Sequence, residues 1–412
     1  MTPHEPVAAD PCLYDLPPEL IAQDPAPRRG DARLLLVARG GGVLGERRVR
    51  DLPSLLRPGD AVILNDSRVL PARLWARRPG GGGVELLLVR ATAPDRWLAL
   101  ARPARRLRAG QTLTLAPPPG AAPPDGPAPE LTLVAVGADG FVTVAGNDLA
   151  ATAEAWGELP LPPYIRRAAD DPDGATRRAR DRERYQTVFA REAGSVAAPT
   201  AGLHLEPEVL AQLRVGGVAV ETVTLHVGPG TFRPPGPAEL ASGRLHAERF
   251  ACPPGVLAAA RRARAGGGLV LAVGPPSVRV LETVRRLDLP ADDDAAASAA
   301  PRQLDWPRPG AADAQAPLFA GSARRGPAGW EVAGETRLFL RPPDPVGAAD
   351  ALLTNFHLPG SSLLMLVAAM GGAATWRTAY AHAVAQRLRF YSYGDAMLLL
   401  PAAAAARIGG DG

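Results

Sequence analysis

The chain has 412 residues, of which 46% are hydrophobic and 21% charged, and its formal net charge at pH 7 is +4. This composition is typical of a globular protein of two or three domains and excludes a disordered tail. All 46 basic residues are arginine, which excludes reactions that need a lysine amine, such as Schiff-base chemistry.

Cysteine usage and the apolar stretches predict the compartment. Cys12 and Cys252 have neither metal-ligand spacing nor the density of a disulfide scaffold. Residues 1–10 lack a basic region followed by an apolar run, so we expect no signal peptide. The most apolar stretch, residues 363–374, is too short to span a membrane. We therefore expect a cytoplasmic protein without a membrane partner.

The apolar runs of the first 150 residues predict two kinds of structure. Up to residue 66 we expect a short helix at 17–23 and strands at 33–37, 43–49 and 61–64. From residue 67 to 150, short β-rich runs alternate with Gly/Pro clusters, which favours a small barrel or sandwich. These runs are 84–90, 97–101, 112–115, 131–136 and 141–144.

After residue 150 strands and helices alternate, which is typical of layered α/β structure. The expected helices are 207–214, 255–265, 277–287, 361–370 and 375–387, and the expected strands are 218–225, 269–273, 336–340 and 351–353. The predicted fold class is α/β, with a layered α/β main domain at 1–66 and 151–412 and an inserted small β-barrel domain at 67–150. Residues 290–329 show no periodicity and predict a flexible surface insertion. The charged residues 168–182 predict a solvated loop or helix face.

Polar clusters lie where predicted strands end, and binding residues concentrate at such places. Residues 65–68 (Asn-Asp-Ser-Arg) offer partners for hydroxyls and an anion, or form an Asx-turn with an exposed arginine. His204 is a proton-transfer candidate or a helix cap. Residues 228–231 (Gly-Pro-Gly-Thr) can present N–H groups to an anion but are not a dinucleotide-binding glycine loop. The histidines lack HxH and HxxxH spacing, so no metal site is predicted.

Eight segments in register carry a resemblance to one known family. They are residues 14–23 (YDLPPELIAQ), 64–68 (LNDSR), 161–165 (LPPYI), 184–190 (RYQTVFA), 197–204 (AAPTAGLH), 224–232 (TLHVGPGTF), 354–359 (TNFHLP) and 390–397 (FYSYGDAM). Through them the chain resembles, nearly end to end, the S-adenosylmethionine:tRNA ribosyltransferase-isomerases of queuosine biosynthesis. The resemblance implies an α/β domain with an inserted β-barrel, in agreement with the pattern above.

The resemblance also implies a reaction. S-adenosylmethionine donates its ribosyl carbons, not its methyl group, to the aminomethyl group of a 7-deazaguanine base at the tRNA wobble position. Adenine and methionine leave, and the tRNA carries epoxyqueuosine. S-adenosylmethionine is then a consumed substrate and no separate cofactor is expected. The expected macromolecular partner is tRNA, and the chain itself is expected to be a monomer.

This chemistry requires a base at the carbon beside the sulfonium and an acid that helps adenine depart. The candidates, among which the sequence assigns no roles, are His204, His226, His357 and Asp395. The candidates for holding S-adenosylmethionine are Asn65, Asp66, Arg68, Gly228, Gly230, Thr231, Ser277, Arg279 and Asn355.

Two segments depart from the family pattern. Residues 274–279 (GPPSVR) carry prolines where the family has two threonines, which removes two hydroxyls and two backbone donors. Residues 245–248 (LHAE) differ from the family's Met-His-Ser-Glu but keep both ionisable residues. Two alternatives therefore stand: a catalytically retired paralogue that binds tRNA or an adenosyl ligand, and an enzyme of the same fold with another sulfonium or acceptor.

A basic run in the predicted barrel is the candidate surface for tRNA. Residues 102–108 contain four arginines and no acidic residue. Uncompensated cations of this kind bind phosphates and release counterions. The alternative is a solvated hairpin whose arginines only keep the barrel soluble.

Overall fold

The structure, a computed structural model, describes residues 12–137, 139–168, 173–287, 289, 302–303, 317–327 and 329–409. The described residues form two compact units. The first, the sheet unit, contains the residues up to Asp66, Pro199–Leu225 and the residues from Gly230 onwards. The second, the barrel unit, contains Ser67–Ala198 and His226–Pro229 and so extends past residue 150, where the sequence pattern ends the inserted domain.

Nineteen strands follow one another in the part of the chain that the structure describes. They are β1 (Arg33–Ala38), β2 (Val43–Arg48), β3 (Ala61–Asn65), β4 (Ser67–Val69), β5 (Arg73–Arg77), β6 (Gly83–Ala93), β7 (Arg96–Arg102), β8 (Thr112–Ala116), β9 (Glu130–Val136), β10 (Phe141–Ala145), β11 (Glu192–Ser195), β12 (Ala219–Leu225), β13 (Arg244–Cys252), β14 (Val270–Val273), β15 (Arg302–Gln303), β16 (Phe319–Gly326), β17 (Gly329–Leu338), β18 (Ala351–Asn355) and β19 (Ala396–Leu400). Every strand predicted from the sequence has a counterpart among them.

The same residues contain ten α-helices. They are α1 (Leu52–Leu55), α2 (Leu149–Trp156), α3 (Gly174–Arg184), α4 (Pro207–Val215), α5 (Pro237–Ser242), α6 (Pro254–Ala265), α7 (Pro275–Arg285), α8 (Ser362–Gly371), α9 (Ala373–Ala385) and α10 (Ala402–Gly409). The helix predicted at 17–23 is wrong, because only a 3-10 turn at Pro18–Leu20 forms and Ile21 is already extended. None of the described helices combines the length and apolar character that a membrane span requires.

An eleven-stranded sheet forms the centre of the sheet unit, in the order β15-β16-β17-β13-β12-β3-β14-β18-β19-β1-β2. The neighbours β12, β3, β14 and β18 run parallel to one another. Every residue of β3, β14 and β18 is buried, as expected for parallel strands that are covered on both faces. This part of the fold confirms the predicted α/β class.

The ends of these parallel strands lie side by side, and we call this part of the sheet the carboxyl edge. It contains Asn65, Leu225, Val273 and Asn355, the last residues of the four strands. Because β13 and β19 run antiparallel to β12 and β18, β19 begins at this edge and the first half of β13 lies there. Ligands of α/β sheets bind in the crevice outside such carboxyl ends.

The barrel unit contains a closed barrel of six antiparallel strands in the order β10-β7-β6-β5-β8-β9. Buried and less buried residues alternate along β5, so Leu74 and Ala76 fill the interior while Arg73, Trp75 and Arg77 lie on the outer face. The predicted inserted β-barrel is thereby confirmed. The charged segment predicted as a loop or helix face contains the start of α3, and residues 169–172 lie outside the described residues.

The predicted flexible insertion at 290–329 is wrong in its last part. Strand β16 pairs with β17 over eight residue pairs, and Phe319 and Trp330 are 1% and 0% exposed. The pattern of β16 hid the strand, because three small residues separate its two buried positions, Phe319 and Ala323, and two arginines follow them. Residues 290–301, 304–316 and 328 of this segment lie outside the described residues.

Candidate active site

A buried ion pair near the carboxyl edge joins Glu248 of β13 to Arg279 of α7. Their side chains are 1% and 8% exposed, and the guanidinium donates to the carboxylate. The Nε of Arg279 donates to the carbonyl oxygen of Leu338 at 3.1 Å. Its Nη2 is buried and has no partner among the described residues. A buried donor without a partner costs free energy until a ligand satisfies it.

The same carboxylate also holds His246 and Thr231. His246 Nε2 lies 3.1 Å from Glu248 Oε1, and Thr231 Oγ1 lies 3.5 Å from the same oxygen. Burial, and then the nearby Arg279, lower the pKa of His246 to about 4, so the imidazole is neutral at pH 7. A neutral imidazole bonds a carboxylate only through an N–H, which puts the proton on Nε2 and leaves Nδ1 as an acceptor.

The ring of His246 lies against the backbone of Gly230. A Cβ atom at position 230 would lie 2.5 Å from both Nδ1 and Cε1 of that ring. Only glycine therefore lets this backbone approach the imidazole. The acceptor nitrogen of His246 consequently lies beside Gly230, one residue before Thr231.

A second group at the carboxyl edge contains His204 and Asn355. Asn355 Nδ2 lies 3.0 Å from His204 Nε2 and donates to the carbonyl oxygen of Tyr391 at 2.9 Å. Because that carbonyl accepts, the amide nitrogen must face it, and His204 Nε2 is an acceptor with the proton on Nδ1. Burial lowers the pKa of His204 to about 4. Asn355 Oδ1 is buried without a partner among the described residues.

Asn65 and Asp66 fasten the end of β3 to β12. Asn65 Nδ2 donates to the carbonyl oxygen of Leu225 at 3.0 Å, and its Oδ1 accepts the Leu225 N–H at 2.9 Å. Asp66 Oδ1 accepts the hydroxyl of Thr224 at 2.7 Å. Both side chains are buried. The predicted binding residues at this strand end therefore shape the edge through the backbone and side chains of β12.

His357 and Ser277 each form a hydrogen bond to the strand that precedes them in the chain, β18 and β14. His357 Nε2 lies 2.6 Å from the hydroxyl of Thr354, and burial lowers the pKa of His357 to about 3. Ser277 Oγ donates to the carbonyl oxygen of Val273 at 2.9 Å. These contacts favour a structural role for both residues, although the sequence made His357 a catalytic candidate.

Asp395 anchors the segment that leads into β19. Its carboxylate accepts the backbone N–H groups of Arg33 and Arg389 at 2.9 and 2.8 Å and the Arg389 guanidinium at 3.2 Å. Three donors thus hold a side chain that is 2% exposed. This arrangement favours a structural role over proton transfer, since three of the four acceptor sites of the carboxylate are already occupied.

Three predicted site residues belong to the barrel unit. Arg68 pairs with Glu154 at 2.7 Å, and both side chains are more than one-third exposed. His226 is half-buried and lies close to Gly194, where a Cβ atom would be 2.9 Å from its Nδ1. Gly228 lies two residues further along the chain in the same unit.

The structure brings Thr231 and Arg279 together around the carboxylate of Glu248, places Gly230 against the His246 ring, and pairs His204 with Asn355. The sequence prediction did not include His246 and Glu248, the two residues at the centre of the first group. The available signal was the LHAE segment, which keeps both ionisable residues of the family pattern.

A histidine held by a buried carboxylate at the carboxyl edge of an α/β sheet is the arrangement of an enzyme active site. Among the described residues, no group of three or more His, Cys, Asp or Glu side chains is arranged to hold a metal ion. The sequence profile of the family described as queuosine biosynthesis protein matches residues 10–399. The chain belongs to this family and is an enzyme of the transferase class.

Several named relatives are similar over almost the whole chain. A Thermus thermophilus protein named S-adenosylmethionine:tRNA ribosyltransferase-isomerase is 46% identical over 390 residues, which cover 94% of this chain and 98% of that protein. An Azoarcus protein of the same name is 45% identical over 388 residues, covering 94% and 95%. A crystal structure of an S-adenosylmethionine tRNA ribosyltransferase from Thermotoga maritima is 29% identical, with coverage of 95% and 100% and a TM-score of 0.47.

Proposed function

We propose that the chain is an S-adenosylmethionine:tRNA ribosyltransferase-isomerase that makes epoxyqueuosine in tRNA. The observation that carries the proposal is the 46% identity to a relative of that name, across 94% of this chain and 98% of the relative. S-adenosylmethionine is consumed as the ribosyl donor, and no separate cofactor is required. The acceptor is the aminomethyl group of a 7-deazaguanine at the tRNA wobble position.

Proton removal beside the sulfonium is the role that suits His246. Its Nε2–H is held by Glu248 at 3.1 Å, so Nδ1 carries the free lone pair. Glu248 orients the ring and stabilises the imidazolium that forms when Nδ1 takes a proton, which makes Glu248 a positioning residue. This pair is the first choice for the base. Of the four sequence candidates, His357 and Asp395 are held by structural contacts, and His204 and His226 stay open for other roles.

Two buried polar atoms without partners suit the substrate. Arg279 Nη2 is a donor and Asn355 Oδ1 is an acceptor. S-adenosylmethionine can satisfy both atoms. Its carboxylate and hydroxyl oxygens accept hydrogen bonds, and its hydroxyl, ammonium and adenine amino groups donate them. The neutral His204 beside Asn355 keeps its proton on Nδ1 and can donate a hydrogen bond to the departing adenine, and His226 is the other open candidate for the acid.

The two prolines at the start of α7 favour one alternative, a catalytically retired paralogue. Pro275 and Pro276 occupy the first two positions of α7, where proline is compatible with the helix. They nevertheless remove two of the N–H groups that a helix start offers an anion. An enzyme of the same fold that acts on another sulfonium or acceptor would also be compatible with this change.

The test is the release of adenine from S-adenosylmethionine by the purified protein. We expect release with tRNA that carries 7-aminomethyl-7-deazaguanine and none with unmodified tRNA. A retired paralogue would bind these molecules without releasing adenine. A different acceptor would show release that does not depend on the modified base.

The role of His246 is tested by His246→Gln. Loss of a general base costs about 10²–10⁴-fold in kcat, while the affinity for S-adenosylmethionine should change little. His382→Gln is the matched control, because His382 also pairs with a glutamate, at 3.4 Å from Glu46, but lies on α9. Equal kcat values for the two variants would remove His246 from the mechanism.

A further inference from the structure

A cavity of about 750 Å³ lies within the barrel unit. Its wall is formed by the outer face of β5, the loop at 118–124, the end of α2 with the segment that follows it, and α3. The volume falls within the range of sites that bind small molecules or single groups of a larger ligand. The wall includes most of residues 161–165, a segment of the family pattern for which the mechanism above has no use.

Two tryptophans give the cavity an aromatic wall. Trp75 is half-buried on the outer face of β5, because the alternation of the strand turns its neighbours Leu74 and Ala76 into the barrel. Trp156 is the last residue of α2 and is buried against the barrel core. Trp75 therefore presents an indole ring that the barrel core does not need.

The cavity wall is basic, with five arginines (Arg73, Arg166, Arg167, Arg178, Arg182) and two acidic residues (Glu158, Asp181). Arg167 is committed to the buried Asp181, with hydrogen bonds of 2.7 and 2.9 Å. Arg178 reaches across to the loop and donates to the carbonyl oxygen of Gly120 at 3.0 Å. Its ion pair with Glu158 is loose, at 3.7 Å. Arg182 pairs with Glu154 at 3.3 Å and Arg73 with Glu85 at 3.1 Å, and neither glutamate lines the cavity. With five arginines against two acidic residues, the wall itself is complementary to an anion.

We propose that this cavity binds an unpaired nucleotide of the RNA substrate, with the base stacked on Trp75 and a phosphate held by the arginines of α3. Aromatic rings beside a basic groove are the recurring device for single-stranded nucleic acid, since every base has a π-face and every nucleotide a phosphate. A paired base inside a duplex cannot reach such a ring. The inference rests on the proposed function, which makes RNA the substrate.

The experiment measures binding of a fluorescently labelled anticodon stem-loop RNA by anisotropy at several salt concentrations. Trp75→Leu removes the ring and keeps an apolar side chain, so we expect about tenfold weaker binding with an unchanged salt slope. Trp75→Phe keeps a ring and should bind nearly as the parent does. Trp97→Leu is the matched control, because Trp97 is a half-buried tryptophan of the same barrel outside the cavity wall.

The arginine part of the site is tested by a second variant, which also serves if Trp75→Leu fails to fold. Arg178→Gln with Arg182→Gln should weaken binding and lower the slope of log affinity against log salt by about one to two. Arg77→Gln with Arg90→Gln is the control, because both are exposed barrel arginines outside the cavity wall. The melting temperature of each variant is measured alongside.

Three results would overturn the inference. They are parent-like RNA binding by Trp75→Leu, parent-like binding and salt slope in the α3 double variant, and equal binding of the parent to the stem-loop and to a fully paired duplex. Failure of the proposed function has a different signature, since the parent would then release no adenine with the modified tRNA whatever the cavity variants do.

Discussion

His246 and Glu248 lie two residues apart on β13 and are joined by a hydrogen bond of 3.1 Å between Nε2 and Oε1. Alternate residues of a strand share a face, so this spacing lets one carboxylate orient the ring. Arg279 neutralises the same carboxylate from α7. The ionisable groups of the proposed site are thus held by one another, with Glu248 and Arg279 buried and His246 partly exposed.

Gly230→Ala should reduce turnover while leaving the fold intact. The new Cβ atom would lie 2.5 Å from the His246 ring, so the ring must move away from the position in which Glu248 orients it. We expect kcat to fall by about 10²-fold, since a misplacement of about 1 Å has that effect.

Gly236→Ala is the control for this change. A Cβ atom at position 236 would meet nothing closer than 3.7 Å. Circular dichroism and steady-state kinetics on both variants are the measurements. Equal activity of the two variants would contradict the account of the His246 ring.

The free energy of unfolding should fall as the pH falls from about 6.5 towards 4. Burial lowers the pKa of His204 to about 4 and that of His357 to about 3, from the ordinary value of 6.5. Between these values the unfolded chain binds protons that the folded chain does not, so acid favours unfolding. Each histidine contributes at most about 1.4 kcal/mol per pH unit in this window.

Urea unfolding of the parent and of His357→Gln at a series of pH values isolates one of these contributions. Glutamine keeps a partner for Thr354 and cannot titrate, so the variant should lose less stability than the parent on acidification. If the free energy of unfolding falls equally with pH in both proteins, His357 is not buried in its neutral form.

Much of the fold could be predicted, because its strongest signals are local. The runs at 61–64, 269–273 and 351–353 are continuous apolar segments, the run at 218–225 is rich in valine and threonine, and the structure forms all four strands. Strands β5 and β13 were missed because charged residues interrupt or bound their short apolar runs, Arg73 and Arg77 in β5 and Arg244, Glu248 and Arg249 in β13. These charged residues occur because β5 turns one face to the outside of the barrel and β13 carries residues of the proposed site. A short stretch of sequence shows neither arrangement.

Phe319→Ala should destabilise the sheet unit, although the sequence pattern places Phe319 in a flexible insertion. Its side chain is 1% exposed and its ring packs 5.6 Å from that of Phe250, centroid to centroid. Loss of a buried phenylalanine ring costs about 3–5 kcal/mol. Arg324→Ala on the same strand is the control, because its side chain is 64% exposed. Denaturant midpoints that shift equally in both variants would contradict the position of β16.

Replacing Arg105 and Arg106 with alanine should weaken tRNA binding across all sequences. Both side chains are exposed in the loop between β7 and β8, and neither forms an ion pair with another described residue. Phosphate contacts release counterions, so the slope of log affinity against log salt should fall by about one to two. The affinity for S-adenosylmethionine should stay the same. Unchanged tRNA affinity and slope would assign these arginines to solubility alone.

The site could be predicted only in part, because its centre depends on strand pairing. The sequence supplied Thr231 and Arg279 through the family pattern, but Glu248 joins them only once β13 lies antiparallel to β12 and α7 packs beside it. His357 and Asp395 have the residue types of catalytic groups. Their hydrogen bonds to Thr354 and to the backbone of Arg33 and Arg389 exist only in the folded chain.

The fate of the ribosyl carbons tests the central claim most directly. Two preparations of S-adenosylmethionine, one labelled in the ribosyl carbons and one in the S-methyl group, are incubated with the protein and tRNA that carries 7-aminomethyl-7-deazaguanine. We predict that the ribosyl label enters the tRNA in an amount equal to the adenine released and that the S-methyl label does not. S-methyl label in the tRNA, or adenine release without ribosyl label in the tRNA, would contradict the account.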